Sequence, residues 1–199
     1  MDSINIIIPN KGKEVCLLTK ALLLIDIQND YFPGGKMKLD GAEQATKHAR
    51  KVLEHFREKK QTIIHIQHLS VRKEATFFLP NTKGCEIHDW VKPFEEEIII
   101  QKNWPNSFRA TPLLERLTAN QIDELTICGM MSHMCIDSTV TAAFDLGFSC
   151  EVIHDACATK DLEWNGNLIK SKEIHHTIMA SLHRLFADVV GSQEFIIRN

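Results

Sequence analysis

The sequence lacks any apolar run long enough to cross a membrane, and it lacks an excess of basic residues. Its longest apolar stretches, such as residues 21–25, are far shorter than the roughly 20 residues that a spanning helix needs. The net charge is −3 with neutral histidines, so the composition gives no electrostatic reason to expect nucleic acid or an anionic membrane as a partner. We expect a small-molecule substrate or a protein partner instead.

The six cysteines lack the spacing of a metal site or a disulfide framework. No CxxC pair and no zinc-finger spacing occurs among them. Asp2 stands where a secretory signal would carry basic residues, so we expect a cytoplasmic protein with reduced thiols. A reduced cysteine is free to act as a nucleophile.

The glycine motifs that hold nucleotide phosphates are also missing. GxGxxG does not follow the first predicted strand, and GxxxxGK(S/T) does not occur. No cofactor is therefore expected. A nucleotide-binding domain stays open as an alternative, which tight binding of NAD or ATP would favour.

Buried strands alternate with amphipathic helices along the chain, which predicts an α/β fold with a six-stranded parallel sheet covered on both faces. Residues 155–167 are predicted to form a polar loop. With no linker in the sequence, we expect an N-terminal extension over residues 1–20 and a single domain over residues 21–199. The predicted strands are residues 21–27, 62–67, 97–100, 124–128, 148–153 and 188–190, and the predicted helices are residues 43–60, one opened by Thr111 and Pro112, 132–146 and 169–186.

Three reactive side chains fall at the carboxyl ends of predicted strands. Asp26 ends the first strand, Lys102 follows the third, and Cys135 follows the fourth near the start of a helix. A helix N-terminus and a nearby lysine both lower the pKa of a thiol, so we expect an activated Cys135. Asp26, surrounded by leucine and isoleucine, could take the thiol proton and later return it to a leaving amine.

Each of these residues also has an ordinary structural explanation. A cysteine at a strand–helix junction is usually a small core residue, and we assign that role to Cys128, Cys150 and Cys157. A lysine after a strand is usually solvated, and a buried aspartate usually forms a salt bridge. The occurrence of all three at strand ends favours a catalytic site.

The segments around these residues resemble the signature segments of the isochorismatase-like cysteine hydrolases, which include nicotinamidases and N-carbamoylsarcosine amidases. The resemblance extends over about residues 21–190. The first segment, D-x-Q-x-D-(F/Y), is matched from Asp26 to Tyr31, and the second has a lysine six residues before a phenylalanine. The third reads G-x-x-(T/S)-x-x-C-(V/I). The matching residues of the second and third segments are Lys102 and Phe108, then Gly129, Ser132, Cys135 and Ile136.

The resemblance implies a three-layer α/β/α fold, Rossmann-like in arrangement, and a catalytic triad of Asp26, Lys102 and Cys135. It implies that the cysteine forms a thioester with an amide, carbamoyl or lactam substrate. It further implies a cis peptide bond between Met130 and Met131, with the N–H groups of Met131 and Cys135 forming an oxyanion hole. Such folds usually associate, so a homo-oligomer, either a dimer or a tetramer, is expected.

The resemblance is incomplete at the metal site. Nicotinamidases of the family bind a metal through an Asp-x-His after the second strand, where this chain has His68 and Ser70. His88 matches one further ligand and the remaining ligand has no counterpart, so we expect no metal, although the sequence leaves open whether His68 and His88 bind one.

Aromatic side chains near the signature segments could form an apolar pocket. We expect Phe32, His68 and Trp104 to contact the substrate, and we assign Phe108 to packing. Retention of the cysteine favours C–N hydrolysis over the vinyl ether cleavage of true isochorismatases, which stays open as an alternative. A catalytically silent, oligomeric relative is the other alternative, and the sequence does not name the substrate.

Overall fold

The structure, a computed structural model, describes residues 19–199. The predicted N-terminal extension over residues 1–20 therefore lies outside the described residues except for its last two positions. None of the described helices is long and apolar enough to cross a membrane.

The predicted six-stranded parallel sheet is confirmed. Its order is β3-β2-β1-β4-β5-β8, and each of the five neighbouring pairs is parallel. A separate antiparallel hairpin is formed by β6 and β7. The strands are β1 (Lys20–Ile25), β2 (Thr62–His68), β3 (Ile98–Lys102), β4 (Glu124–Met130), β5 (Ser149–Ala158), β6 (Leu162–Trp164), β7 (Asn167–Ile169) and β8 (Asp188–Val190).

Helices cover the sheet on both faces. Right-handed crossovers place α1 on one face and α2, α3 and α4 on the other. On the first face α1 packs against α5, with the Phe56 and Phe195 ring centroids 5.9 Å apart. On the second, α3 packs against α4. The helices are α1 (Ala42–Glu58), α2 (Leu113–Ala119), α3 (Asp137–Asp145), α4 (Ser171–Leu182) and α5 (Ser192–Arg198).

The prediction of a polar loop over residues 155–167 is wrong. A register shift between Ile127 and Gly129 of β4 lets β5 continue to Ala158, where it pairs with Met130. The chain then forms the β6–β7 hairpin around Asn165 and Gly166, which have φ values of 51° and 74°. An Asn-Gly pair with positive φ is the preferred two-residue hairpin turn, so the signal was present in the sequence.

Two predicted bounds shift for local reasons. β1 ends at Ile25, two residues earlier than predicted, because Asp26 adopts a φ of 53° that leaves the strand conformation. The last long helix begins at Ser171 because Ile169 belongs to β7, and the sequence analysis did not predict α5.

Gly129 generates a test of how closely β1 and β4 approach. Its φ is +132°, and an added Cβ would clash with the Ile25 carbonyl oxygen. Gly147 has a φ of +91° but open space around it. Both alanine variants add backbone strain of about 1–3 kcal/mol, and only Gly129→Ala adds a clash. We expect Gly129→Ala to lower the free energy of unfolding in urea more than Gly147→Ala does, and equal losses would contradict the close approach.

Candidate active site

The predicted catalytic residues meet at the carboxyl edge of the sheet. β1 and β4 are neighbours, and the chain proceeds from them in opposite directions across the sheet. Open α/β sheets bind ligands in the crevice at such a point. Asp26 follows β1, His68 and Lys102 end β2 and β3, and Cys135 lies five residues after the end of β4.

A buried ion pair joins Asp26 to Lys102. The Lys102 Nζ lies 2.7 Å from the Asp26 Oδ2, and neither side chain has any exposed surface. β2 separates β3 from β1, so the long lysine side chain reaches across the end of β2, where His68 is paired with Lys102. A buried charge without a partner is costly, so each residue of this pair requires the other.

The remaining hydrogens of the Lys102 ammonium also find acceptors. Its Nζ donates to the Trp104 carbonyl at 3.1 Å and to the Pro105 carbonyl at 3.3 Å, and it lies 3.2 Å from the His68 Nδ1. Burial acts to lower the pKa of Lys102, but the pKa is nevertheless raised, chiefly by the negative charge of Asp26, to which the ammonium is also hydrogen-bonded. Lys102 is therefore a charged ammonium at neutral pH.

Cys135 lies beside this pair in a π-helical turn, Ser132–Ile136, that leads into α3. An Asp26 carboxylate oxygen, a His68 ring nitrogen and the Cys135 Sγ all lie within 4.8 Å of one another. The Met131 carbonyl accepts hydrogen bonds from the N–H groups of Met134 and Ile136. It accepts none from the N–H of Cys135, which lies between them in the chain. The peptide bond between Met130 and Met131 is cis, as the resemblance implied.

The prediction that the pKa of Cys135 is lowered is wrong. Burial raises the pKa of this thiol, the negative charge of Asp26 raises it further, and the positive charge of Lys102 opposes both. The side chain is only 5% exposed, and the sequence pattern could not reveal this degree of desolvation. Burial therefore favours the neutral thiol of Cys135 over the thiolate.

One oxygen of Asp26 is left without a partner. The Oδ2 is bound by Lys102, whereas the Oδ1 is buried and receives no hydrogen bond from the described residues. Buried carboxylate oxygens in folded proteins are normally hydrogen-bonded, so an unpartnered one requires an explanation. Because a carboxylate oxygen of Asp26 lies within 4.8 Å of the Cys135 Sγ, this carboxylate can accept the thiol proton.

A cavity of about 320 Å³ opens above Cys135. Its walls are largely aromatic and apolar, while Cys135 and His68 bring polar groups to it. The charged lining side chains, Arg72 and Glu74, are solvent-exposed. The lining residues are Tyr31, His68, Ser70, Val71, Arg72, Glu74, Ala75, Thr76, Phe77, Phe78, Asn103, Pro105, Met131, Met134 and Cys135.

The structure brings His68 to this cavity, but not the side chains of Phe32 and Trp104. Phe32 stacks on His88 with ring centroids 3.7 Å apart and lines a neighbouring cavity. The Arg109 guanidinium covers the Trp104 ring at 3.8 Å, so Trp104 serves the site through its carbonyl. Phe108 stacks on Phe148 at 6.0 Å, in agreement with its assignment to packing.

The sequence analysis missed two supporting residues inside its own first motif. The Gln28 amide donates to the His68 and Cys85 carbonyls and accepts from the His68 N–H, which fixes the end of β2. The buried Asp30 carboxylate accepts from the backbone N–H groups of Phe78 at 2.6 Å and Lys36 at 3.0 Å. Their occurrence at fixed positions in the motif was the available signal.

The residues present do not fit the metal centre of nicotinamidases. Within residues 19–199, Asp26, His68 and Cys135 form a group with suitable donor spacing. The Lys102 ammonium already binds the Asp26 Oδ2 and the His68 Nδ1, so a cation there would meet a positive charge. His88 does not join this group, since its Nδ1 accepts from the Trp90 N–H.

Comparison with known proteins identifies the family. A family model described as the isochorismatase domain matches residues 20–194. An isochorismatase family protein of Bacillus subtilis (strain 168) is 46% identical over 179 residues, covering 90% of this chain and 99% of the relative. The crystal structure of a protein from Oleispira antarctica matches with a TM-score of 0.86 and 43% identity, over 90% of this chain and 96% of that one.

A relative with a named activity is more distant. Streptothricin hydrolase of Streptomyces noursei is 31% identical over 143 residues, which cover 72% of this chain and 56% of the relative. Since the family model covers most of the sequence and the Bacillus relative is matched over nearly its whole length, this chain belongs to the isochorismatase family of hydrolases.

Proposed function

We propose that this protein is a cysteine hydrolase that cleaves a C–N bond of a small amide, carbamoyl compound or lactam. Cys135 is the nucleophile, Asp26 the proton carrier and Lys102 the cation that orients Asp26. The observation that carries the proposal is the buried Asp26 carboxylate, which has an oxygen within 4.8 Å of the Cys135 Sγ and keeps its Oδ1 without a hydrogen bond from the described residues. A hydrolase name among the relatives supports the reaction class.

The first step forms a thioester. The Asp26 Oδ1 takes the proton of the Cys135 thiol while Sγ attacks the substrate carbonyl carbon. The carbonyl oxygen becomes an oxyanion, which the N–H groups of Met131 and Cys135 stabilise; such preorganised donors are typically a large catalytic contribution. When the C–N bond breaks, the leaving nitrogen takes the proton from Asp26.

The second step hydrolyses the thioester. Asp26, again a carboxylate, removes a proton from a water molecule, which attacks the thioester carbonyl. Collapse of the second tetrahedral intermediate breaks the C–S bond, releases the carboxylic acid and returns the proton from Asp26 to Sγ. Lys102 keeps the Oδ2 bound throughout, so the Oδ1 remains free to carry the proton.

Replacing the nucleophile is the direct test. We expect Cys135→Ala to abolish ammonia or amine release from a panel of small amides, because no thioester can form. Cys150→Ala removes another buried thiol, outside the cavity lining, and serves as the matched control. Full activity of the Cys135→Ala protein would sink the proposal. If the wild type hydrolyses a vinyl ether and no amide, the isochorismatase reaction is favoured. If it hydrolyses neither, a catalytically silent relative is favoured.

The role of Asp26 predicts opposite effects on two measurements. Asp26→Asn removes the negative charge that raises the pKa of Cys135, so iodoacetamide should alkylate Cys135 faster than in the wild type at mildly alkaline pH. Because the variant lacks the proton carrier, turnover should fall by about 10²- to 10⁴-fold.

Lys102→Met supplies the opposing control, because the positive charge of Lys102 lowers the pKa of the thiol. Alkylation of Cys135 should slow in this variant. Mass spectrometry of the labelled peptide measures both rates. Slower alkylation in Asp26→Asn than in the wild type would contradict the proposed charge arrangement.

A further inference from the structure

His68 is held more firmly than a residue that merely lines a cavity. Its backbone N–H and carbonyl are both bound by the Gln28 side-chain amide, at 2.7 and 2.9 Å. Its ring is bound at Nδ1 by Lys102, with the Phe78 ring 5.9 Å away. Both the backbone and the ring of His68 are therefore held in place. This is typical of a group that binds a ligand in one direction, because a preorganised side chain does not lose conformational entropy when the ligand binds.

The contact with Lys102 decides which ring nitrogen carries the proton. A lysine ammonium donates hydrogen bonds and accepts none, so the His68 Nδ1 must be the acceptor at 3.2 Å. Burial lowers the pKa of His68, and the nearby Lys102 charge lowers it too, so the ring is neutral near pH 7 although Asp26 opposes the shift. A neutral imidazole has a single N–H, which is therefore at Nε2.

The Nε2–H is available to a ligand. Among residues 19–199 it donates to no protein acceptor, and the side chain is 16% exposed in the wall of the Cys135 cavity. The ammonium of Lys102 cannot serve a ligand in the same way, because four protein acceptors already surround it. His68 thus presents a fixed neutral donor in the wall of the cavity.

We infer that the substrate is a small carboxamide with a second hydrogen-bond acceptor, such as a ring nitrogen or a carbonyl oxygen, and that the His68 Nε2–H binds this acceptor. The inference rests on the proposed function for the amide that Cys135 attacks. His68 then acts as a specificity determinant, and Lys102 sets the direction of its hydrogen bond by fixing the tautomer.

The tautomer can be observed without turnover. Long-range ¹H–¹⁵N correlation spectra of histidine-labelled protein near neutral pH should show His68 with a protonated Nε2 and an unprotonated Nδ1. The His68→Gln variant assigns the signal by its loss. A ring protonated at Nδ1, or on both nitrogens, would overturn the inference.

The preference for an acceptor can be measured in the Cys135→Ser variant, which holds ligands without forming a thioester. The probes are benzamide and its three pyridine analogues, picolinamide, nicotinamide and isonicotinamide, which place a ring nitrogen at three positions. At least one analogue should bind about 3- to 10-fold more tightly than benzamide, as one neutral hydrogen bond supplies, and should shift the Nε2 signal.

The double variant Cys135→Ser/His68→Leu should lose this preference, and Cys135→Ser/His68→Gln, which keeps a donor, should retain part of it. Equal affinity for all four amides, or a preference that survives His68→Leu, overturns the inference. Ammonia release by the wild type tests the proposed function separately. If a pyridine analogue binds more tightly than benzamide but the wild type hydrolyses no amide, the proposed reaction is contradicted and the role of His68 stands. If the wild type hydrolyses amides but shows no such binding preference, only the role of His68 is contradicted.

Discussion

The ion pair between Asp26 and Lys102 is the interaction on which the carboxyl edge of the sheet depends. Two opposite charges are buried without exposed surface and are 2.7 Å apart. Desolvation of such a pair costs several kcal/mol per ion, and mutual attraction offsets the cost only where further hydrogen bonds satisfy the remaining groups. The Trp104 and Pro105 carbonyls and the His68 ring supply those bonds, so the segments that follow β2 and β3 are organised around one ammonium.

The same ammonium defines the chemistry that the site can support. It lies between Asp26 and His68, and it leaves the carboxylate with a single oxygen that receives no hydrogen bond from the described residues. The positive charge of the site therefore belongs to a side chain of the protein itself, and it is held 2.7 Å from the Asp26 carboxylate. One position therefore binds the Asp26 Oδ2 and also contacts the Nδ1 of the His68 ring.

Sequence patterns predicted the parts of this arrangement that depend on local composition. Residues 21–25 form a continuous apolar run, and such runs are buried on both faces of a parallel sheet, so the position of Asp26 at a strand end followed directly. The sign of the pKa shift of Cys135 did not follow, because it depends on the burial that residues far apart in sequence produce together. The position of Phe32 did not follow either, since its contact with His88 joins two loops whose packing no local pattern specifies.

A deeply buried catalytic site must solve a problem of charge, because each uncompensated charge in a low-dielectric interior is costly. On the proposed mechanism, Asp26, Lys102 and Cys135 begin with one negative charge, one positive charge and a neutral thiol. Proton transfer to the Oδ1 moves the negative charge to sulfur, and attack moves it to the oxyanion, while Lys102 stays positive.

Departure of the leaving group with the Asp26 proton returns the negative charge to the carboxylate. The sum over these three side chains and the reacting group is therefore zero at every step. A site with a permanent thiolate and an ionised Asp26 would instead carry an excess negative charge beside a single ammonium. The high pKa of the buried Cys135 is therefore consistent with its role as the nucleophile, because the thiol loses its proton only as that charge is passed on to the substrate.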